Sequence, residues 1–328
     1  MLSPAVRLLV LACLIGIVDM ACAAEPAVTD PAKAGPDFAA QGEYVCEFER
    51  DGQTRKMGVQ VIALGKGQFE AVVFPGGLPG DGWMRDEEKR SFKGQMKDGT
   101  VVFEGDDGGR GELKDGVIKV ISSGGETRLE IKKVERKSST LGMKPPAAAL
   151  VLFDGKNVDA WRGGKIVDEK YLAVGTTSKE EFQDFTLHLE FQTPFMAESR
   201  GQARGNSGMY LQNRYEVQIL DSFGLEGLDN ECGGIYQIAK PLVNMCYPPL
   251  SWQTYDVEMT GARFDAAGKK TSPAKVTIKL NGVVIHDKLE LKDKTPGGAN
   301  TEAPGKGPLF LQNHGDPVRF RNIWVVRK

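Results

Sequence analysis

Short apolar runs separated by tight-turn dipeptides occupy the chain between residues 42 and 136. Alternating apolar and polar residues are typical of strands, and Asp-Gly pairs are typical of hairpin turns. Four such pairs occur here, at Asp51-Gly52, Asp98-Gly99, Asp107-Gly108 and Asp115-Gly116. We therefore predict a small β-rich domain of unassigned role over residues 42–136, with strands at Tyr44–Phe48, Met57–Leu64, Phe69–Phe74, Val101–Phe103, Val117–Ile121 and Arg128–Val134.

The alternation is clearer in residues 150–328. In Phe185–Gln192 every second residue is apolar, which predicts a strand with one buried face and one wet face. No helical period accompanies these runs, so we predict an all-β domain of two packed sheets, a sandwich or jelly roll. A linker over residues 137–149 precedes it. The other predicted strands are Ser207–Gln212, Tyr215–Leu220, Val276–Leu280, Leu309–Gln312 and Val318–Val326, with a hairpin turn at Asn281-Gly282.

The N-terminus has the features of a signal peptide spanning residues 1–24. Arg7 supplies the positive charge, Leu8–Val18 is apolar, and small residues around Ala23 offer a cleavage site. We therefore expect export to the periplasm or beyond. The apolar run is shorter than the ~20 residues that a spanning helix needs, so the mature chain is predicted to have no transmembrane segment. Lipid attachment at Cys22 is the less favoured alternative, because Asp19 stands where an apolar residue is expected.

Charge and cysteine content narrow the function classes. The formal net charge is −2 and the charged residues are scattered, which argues against a nucleic-acid partner. Three cysteines follow the signal region. Cys232 and Cys246 share a Gly/Pro-rich segment and could close a short disulfide loop, whereas Cys46 is expected to be a buried free thiol.

Polar side chains cluster on the outward faces of three predicted strands. Residues two apart on a strand project from the same face, so each strand presents a pair. Carboxylate, amide, imidazole and phenol groups together can hold sugar hydroxyls and move a proton. Any one such face is more often plain solvated surface, but these faces contain almost no Lys. The pairs are Glu216 with Gln218, Gln312 with His314, and Tyr210 with Gln212.

These motifs resemble the 3-keto-disaccharide hydrolase domain over nearly all of residues 151–328. The resemblance implies a concanavalin A-like jelly roll with its site on the concave sheet, and activity on glycosides oxidised at C3 of the sugar. The preceding β-rich unit is similar to a leader domain of some relatives. The matching motifs are Leu152–Lys156 with Trp161, Asp184–Leu187, Asn206–Tyr210, Tyr215–Asp221, Gly234–Tyr236 with Trp252, and Gly307–Gly315 with Val318–Ile323.

A ketone at C3 acidifies the hydrogen on C2, so a base can remove that proton and the enolate can expel the C1 substituent. We expect His314 to be the base, because an imidazole pKa of ~6.5 suits neutral pH. Glu216 would orient it, bind a metal or act as the acid. Arg321 or a divalent cation would stabilise the enolate, with Glu216, Asp221 and His314 as candidate ligands. The expected substrate-binding residues are Gln218, Gln312, Asn206, Tyr210, Gln212, Arg321 and Asp221.

Two other functions stay open at this point, and each would also make a glycoside or oligosaccharide the partner. A conventional retaining glycosidase needs two carboxylates ~5–5.5 Å apart, and Glu216 with Asp221 is the nearby pair. Five positions along one strand would place these two side chains on opposite faces unless a bulge intervenes. The second alternative is a non-catalytic carbohydrate-binding protein. Aromatic residues that stack on the sugar, in place of a His/Glu pair, would support it. The sequence does not distinguish oligomeric states.

Overall fold

The computed structural model describes residues 26–328. The predicted signal peptide and Cys22 lie outside this range. Within it, strands dominate and the α-helical content is the single short helix α1 (Gly35–Ala40), with 3-10 turns at Pro31–Lys33 and Gly201–Ala203. No helix in residues 26–328 is long and apolar enough to cross a membrane. The all-β prediction is confirmed for the described chain.

The strands fall into an N-terminal and a C-terminal series. The first is β1 (Gly42–Arg50), β2 (Gln53–Gly65), β3 (Gln68–Pro75), β4 (Leu78–Pro79), β5 (Gly82–Trp83), β6 (Arg90–Lys97), β7 (Thr100–Glu104), β8 (Arg110–Lys114), β9 (Val117–Ile121) and β10 (Thr127–Val134). The second is β11 (Leu150–Phe153), β12 (Trp161–Arg162), β13 (Ile166–Val167), β14 (Tyr171–Ala173), β15 (Thr176–Phe182), β16 (Phe185–Gln192), β17 (Ser207–Leu211), β18 (Tyr215–Ile219), β19 (Gln253–Thr260), β20 (Arg263–Phe264), β21 (Lys270–Ser272), β22 (Ala274–Leu280), β23 (Val283–Leu291), β24 (Gly307–Leu311) and β25 (Arg319–Arg327).

The first series closes into an antiparallel barrel in the order β1-β10-β9-β8-β7-β6-β3-β2. The predicted hairpins form: Asp51 and Gly52 have φ of 53° and 73°, the left-handed pair that a two-residue turn requires. Strands β6 and β8 were not predicted. Exposed and half-buried residues alternate on β6, and β8 has one buried residue, Leu113. Large apolar side chains are few on both strands, and small residues such as Gly94 and Gly111 take inward positions.

The second series forms two main sheets and the separate two-stranded sheet β20-β21. The large sheet has the order β13-β14-β25-β16-β19-β22-β23, with β11 also paired to β25. The small sheet has the order β12-β15-β24-β17-β18. Large apolar side chains from both sheets, such as Phe185, Val257, Met209 and Leu311, form one buried core between them. The predicted two-sheet sandwich is therefore confirmed, including the Asn281-Gly282 hairpin between β22 and β23.

The barrel packs on the sandwich through the outward face of β2 and β3. Ile62, Val72 and Phe74 point away from the barrel interior and join the sandwich core, together with Trp83, which follows the Gly/Pro-rich segment of residues 75–82. The Trp83 ring meets Phe74 edge to face at a centroid distance of 5.1 Å. Alternate side chains of β2 and β3 therefore pack into two cores, one inside the barrel and one between the barrel and the sandwich.

Residues 138–143 cover the outer face of the large sheet, where the alternation of β16 predicted contact with solvent. Thr140 Oγ1 donates to Asp256 Oδ2 at 2.6 Å, and the Gly142 amide donates to Glu190 Oε1 at 2.6 Å. His188 is fully buried there, with its Nδ1 2.6 Å from Asp256 Oδ1. The alternating polar residues of β16 therefore indicate a polar environment, but this environment is formed by protein groups and not by water.

The three described cysteines are free thiols. Cys232 and Cys246 are buried, and the disulfide that the sequence left open between them is not formed in this structure. Cys46 is half-buried on β1, somewhat more accessible than predicted.

Candidate functional site

The β17–β18 hairpin brings the central polar residues together. Tyr210 is the direct cross-strand partner of Glu216, and Gly208 is the partner of Gln218. Met209 and Val217 point into the sandwich core, so the alternation directs Tyr210 and Glu216 to the other face of the small sheet. This arrangement confirms that the outward faces of the two strands form one polar group.

Glu216 is the central titratable group of this face. Its side chain is only 3% exposed, and the Tyr210 hydroxyl donates to Glu216 Oε2 at 2.7 Å. Gln312 Nε2 in turn donates to the Tyr210 hydroxyl at 3.1 Å. Burial raises the pKa of Glu216 to about 7, although the hydrogen bond from Tyr210 opposes part of this rise. A carboxyl with this pKa can give or take a proton near neutral pH.

Two glycines allow the backbone to approach this pair closely. A Cβ on Gly208 would lie 2.4 Å from Glu216 Oε1 and 3.0 Å from Gln312 Oε1. A Cβ on Gly297 would lie 2.2 Å from the Tyr210 hydroxyl, so the loop at Gly297 covers the pair on one side. Thr295 in the same loop accepts a hydrogen bond from the Glu216 amide at 3.0 Å. The polar face at Glu216 is therefore covered on one side and is more buried than the sequence predicted.

A second polar group adjoins the first across Gly208. Gln218 Nε2 donates to Gln202 Oε1 at 2.9 Å, and Asn206 Nδ2 donates to the Gln202 carbonyl at 2.8 Å. The Asn206 amide donates to Asp316 Oδ2 at 2.7 Å. Asn206 Oδ1, and Gln312 Oε1 in the first group, are buried acceptors without a hydrogen-bond partner within the described chain. Such acceptors suit the hydroxyl groups of a bound sugar.

Gln202 and Asp316 were missed by the sequence reasoning. Burial raises the pKa of Asp316, against hydrogen bonds from the Asn206 and Gly205 amides and the electrostatic effect of the neighbouring His314. The available signal was the spacing His314-Gly315-Asp316, which places a carboxyl in the same glycine loop as the predicted base. Gln202 lies in the 3-10 turn Gly201–Ala203, outside any strand, so no strand pattern pointed to it.

His314 lies at the solvent edge of the site. The predicted pairing with Gln312 assumed that strand alternation continues through both residues, but β24 ends at Leu311. Gln312 turns into the buried group through Tyr210, whereas His314 is exposed next to Asp316. The exposed imidazole is thus available to a ligand from solvent.

Two predicted binding residues have structural partners instead. Gln212 occupies the left-handed turn between β17 and β18, with φ of 55°, and its Nε2 donates to the Phe182 carbonyl at 2.8 Å. Asp221 forms a buried ion pair with Arg204, at 2.6 Å from Nε to Oδ2. The prediction placed both in a substrate site, and the structure corrects it. Gln212 hydrogen-bonds to a backbone carbonyl and Asp221 pairs with a charged side chain. Both residues lie outside the strands, so alternation could not predict where their side chains point.

Arg321 is not part of this site. It lies on β25 in the large sheet, where its Nε donates to Glu190 Oε2 at 2.6 Å and its guanidinium lies 4.0 Å from the Trp252 ring centroid. The large sheet is the opposite layer of the sandwich from Glu216. The expectation that Arg321 would stabilise an enolate beside Glu216 is therefore corrected, because alternation fixes a face but not the sheet to which a strand belongs.

The described residues do not fit the divalent-cation site that the sequence left open. No group of three or more His, Cys, Asp or Glu side chains within residues 26–328 is arranged to hold a metal ion. Asp221 is neutralised by Arg204, Glu216 is engaged by Tyr210, and His314 is exposed.

The fold and the site can now be compared with known proteins. Residues 148–326 match the model of a family described as the 3-keto-alpha-glucoside-1,2-lyase-like domain. A solved Parabacteroides distasonis protein, provisionally assigned as a glycosyl hydrolase, is 34% identical with a TM-score of 0.52; the match covers 56% of this chain and 85% of that one. A second protein from that organism, with the same provisional assignment, is 18% identical with a TM-score of 0.40, covering 55% and 94%. The comparison with curated proteins found no match.

Proposed function

The chain belongs to the 3-keto-alpha-glucoside-1,2-lyase-like domain family, and from this premise we propose that it cleaves the glycosidic bond of glycosides whose sugar has a ketone at C3. Family membership and the glycosyl hydrolase assignment of the relative support a carbohydrate-active protein. The single observation behind the catalytic proposal is Glu216, a buried carboxyl with a pKa of about 7 that a tyrosine holds in place.

The chemistry requires one base and one acid. The neutral imidazole of His314 takes the proton from C2, and the electrons of that C–H bond pass to the C3 carbonyl as an enolate. The enolate re-forms the ketone as C1=C2 forms and the C1–O bond breaks. Glu216, protonated before the reaction, gives its proton to the departing oxygen and becomes a carboxylate that accepts from Tyr210. Addition of water across C1=C2 completes hydrolysis.

The surroundings of Glu216 suit the acid role. A carboxyl with an ordinary pKa of about 4.5 is almost fully ionised at pH 7 and has no proton to give, whereas one with a pKa of about 7 is half protonated. The unpartnered acceptors Asn206 Oδ1 and Gln312 Oε1 would accept hydrogen bonds from sugar hydroxyls, and the Gln218 side chain would hold the Gln202 loop beside them.

The test is a comparison of a disaccharide oxidised at C3 with the intact disaccharide. We expect turnover of the oxidised sugar alone, and a loss of at least ~100-fold in kcat for Glu216→Gln, the typical contribution of a general acid. Glu290→Gln, a change at an exposed carboxylate on the large sheet, is the matched control and should retain full activity. Turnover of the intact sugar would favour a conventional glycosidase, and binding without turnover would favour a carbohydrate-binding protein.

His314→Ala separates the two proton-transfer roles. If His314 is the base, exchange of the C2 hydrogen with deuterated solvent should be lost in this variant. The same exchange should persist in Glu216→Gln, where only departure of the C1 substituent is impaired. Full turnover by His314→Ala would contradict the assignment.

We also propose export of the protein, with residues 1–24 removed as a signal peptide. N-terminal sequencing of the mature protein tests this directly. A new N-terminus close to Ala24 is the expected result, whereas a lipid-modified Cys22 would establish the membrane-anchored alternative.

A further inference from the structure

The eight-stranded barrel is plugged at one end. Helix α1 and loops of the sandwich cover the end where β1 begins, and there Phe38 meets Phe195 edge to face with ring centroids 5.4 Å apart. The Tyr44 hydroxyl, inside the barrel, donates to the Ala40 carbonyl at 2.6 Å in the same plug. At the opposite end, where β2, β6, β8 and β10 begin, the rim residues Arg90, Asp107, Arg110 and Arg128 are exposed to solvent.

A cavity of about 420 Å³ occupies the open half of this barrel. Its wall is mainly apolar and includes Met57, Val59, Phe92 and Phe103. Small residues face inward at Ala71 and Gly111, and they leave the space that larger side chains would fill. Small-molecule sites span ~300–1,000 Å³, and eight-stranded barrels are wide enough to hold one small ligand. The cavity is therefore large enough for a compact apolar molecule.

Three arginines and two aspartates line the rim of this cavity. Asp107 Oδ1 is engaged by the Gly109 amide at 3.0 Å, and Arg110 Nε donates to Glu112 at 2.6 Å. Arg90 has only a distant, solvent-exposed contact with Glu88, at 3.6 Å. Arg128 is exposed as well, so Arg90 and Arg128 are the cations best able to meet an incoming anion at the mouth. The charged side chains of the cavity wall are Arg90, Arg110, Arg128, Asp106 and Asp107.

We propose that the barrel binds a small amphiphilic acid, with an aromatic or aliphatic body inside the cavity and its anionic group at Arg90 and Arg128. Burial of an apolar body is favourable by ~25 cal/mol per Å² of surface removed from water. The arginines add orientation through charge-assisted hydrogen bonds. This site is separate from Glu216 and does not depend on the function proposed above.

The first test blocks the cavity and uses 1-anilinonaphthalene-8-sulfonate, an aromatic anion that fluoresces when it is removed from water. Wild-type protein should bind one equivalent saturably. A Cβ on Gly111 would meet Phe103 and Ile118 at an ordinary 3.7 Å, so Gly111→Leu fills the cavity without a backbone clash and should weaken binding at least ~10-fold. Val73→Trp, at the half-buried lip of β3, blocks the same space from another strand. Thermal unfolding identifies any variant that fails to fold.

The second test separates charge from apolar burial. Arg90→Gln/Arg128→Gln should weaken the sulfonate several-fold and leave binding of the uncharged N-phenyl-1-naphthylamine unchanged. Lys97→Gln/Lys114→Gln, which removes two lysines from the plugged end of β6 and β8, is the matched control and should bind both probes as wild type does. Absence of saturable binding, or unchanged binding in both folded blocking variants, would overturn the cavity assignment. Equal losses for both probes in the arginine variant would overturn the anion assignment.

Discussion

At the scale of single residues, burial and one hydrogen bond act on Glu216 in opposite directions. Burial is the larger effect, so the folded-state pKa of about 7 lies above the ordinary 4.5. The folded protein therefore binds a proton that the unfolded chain has lost between these pH values, and its stability falls as pH rises through this window. The cost reaches about 3 kcal/mol at pH 7 and stays constant above it.

Glu216→Gln removes this ionisation cost. We expect the variant to gain free energy of unfolding relative to wild type as pH rises from 4.5 to 7, by about 3 kcal/mol in total, with a constant difference above pH 7. Urea unfolding of both proteins from pH 4 to 9 measures it. A difference that does not change with pH would show that the carboxyl titrates as it does in water.

Gly208 should be essential for activity yet not for folding. A Cβ there would lie 2.4 Å from Glu216 Oε1, which is the far end of a flexible side chain. Gly208→Ala should therefore displace the carboxyl from Tyr210 and reduce kcat/KM at least ~100-fold, because proton transfer is lost with its geometry. We expect its unfolding temperature to change by only a few degrees. Gly111→Ala, in a barrel strand with ordinary 3.7 Å contacts, should leave both quantities unchanged.

At the scale of elements, alternation predicted strands and faces but not the partners of those faces. Glu216, Gln218 and Tyr210 were placed together correctly because β17 and β18 are joined by a short hairpin, so one period fixes both strands. Arg321 was misplaced because assigning a strand to a sheet depends on pairings that are distant in sequence. Asp316 was missed because loops have no period. Strands β6 and β8 were missed because they contribute few large apolar side chains to the barrel interior, so their sequences show no clear alternation.

The outer polar face of the large sheet, which residues 138–143 cover, also contains a carboxyl with a shifted pKa. Burial alone would raise the pKa of Glu190, but hydrogen bonds from His188, Asn322, Arg321 and the Gly142 amide outweigh it and lower the pKa to about 2. The charge of this carboxylate therefore stabilises the fold above the ordinary pKa of 4.5, and that contribution is lost as pH falls towards 2.

Glu190→Gln should destabilise the protein by about 3 kcal/mol at pH 7, and by progressively less as pH falls from 4.5 towards 2. Chemical unfolding across that range measures the difference. Glu290→Gln, at an exposed ion pair with Lys275, is the control and should change stability by under ~1 kcal/mol at any of these pH values. A deficit of Glu190→Gln that persists undiminished at pH 2 would show that packing, and not charge, accounts for it.

At the scale of the whole molecule, the barrel and the sandwich share buried structure. Arg204, ion-paired with Asp221 in the sandwich, also donates to the Ala63 carbonyl of the barrel at 3.2 Å. Arg136, ion-paired with Glu43 of the barrel, lies with its guanidinium 5.1 Å from the Tyr247 ring centroid of the sandwich. Each arginine is held by an ion pair in one unit and contacts the other unit. These contacts, with the apolar side chains beside them, couple the stabilities of the barrel and the sandwich.

This coupling predicts a single thermal unfolding transition for the wild-type protein. It also predicts that a substitution in the junction will separate this transition into two. Ile62 is buried on the outer face of β2 beside Gly224 of the sandwich, so Ile62→Asp puts an unpaired carboxylate into the junction without touching the barrel interior. Burying that charge costs several kcal/mol, which separation of the two units relieves. We expect calorimetry to show two transitions for Ile62→Asp and one for Lys93→Asp, a matched change on the exposed outer face of β6. Two separate transitions in the wild type, or one unshifted transition in Ile62→Asp, would show that the units are stable independently of their contact.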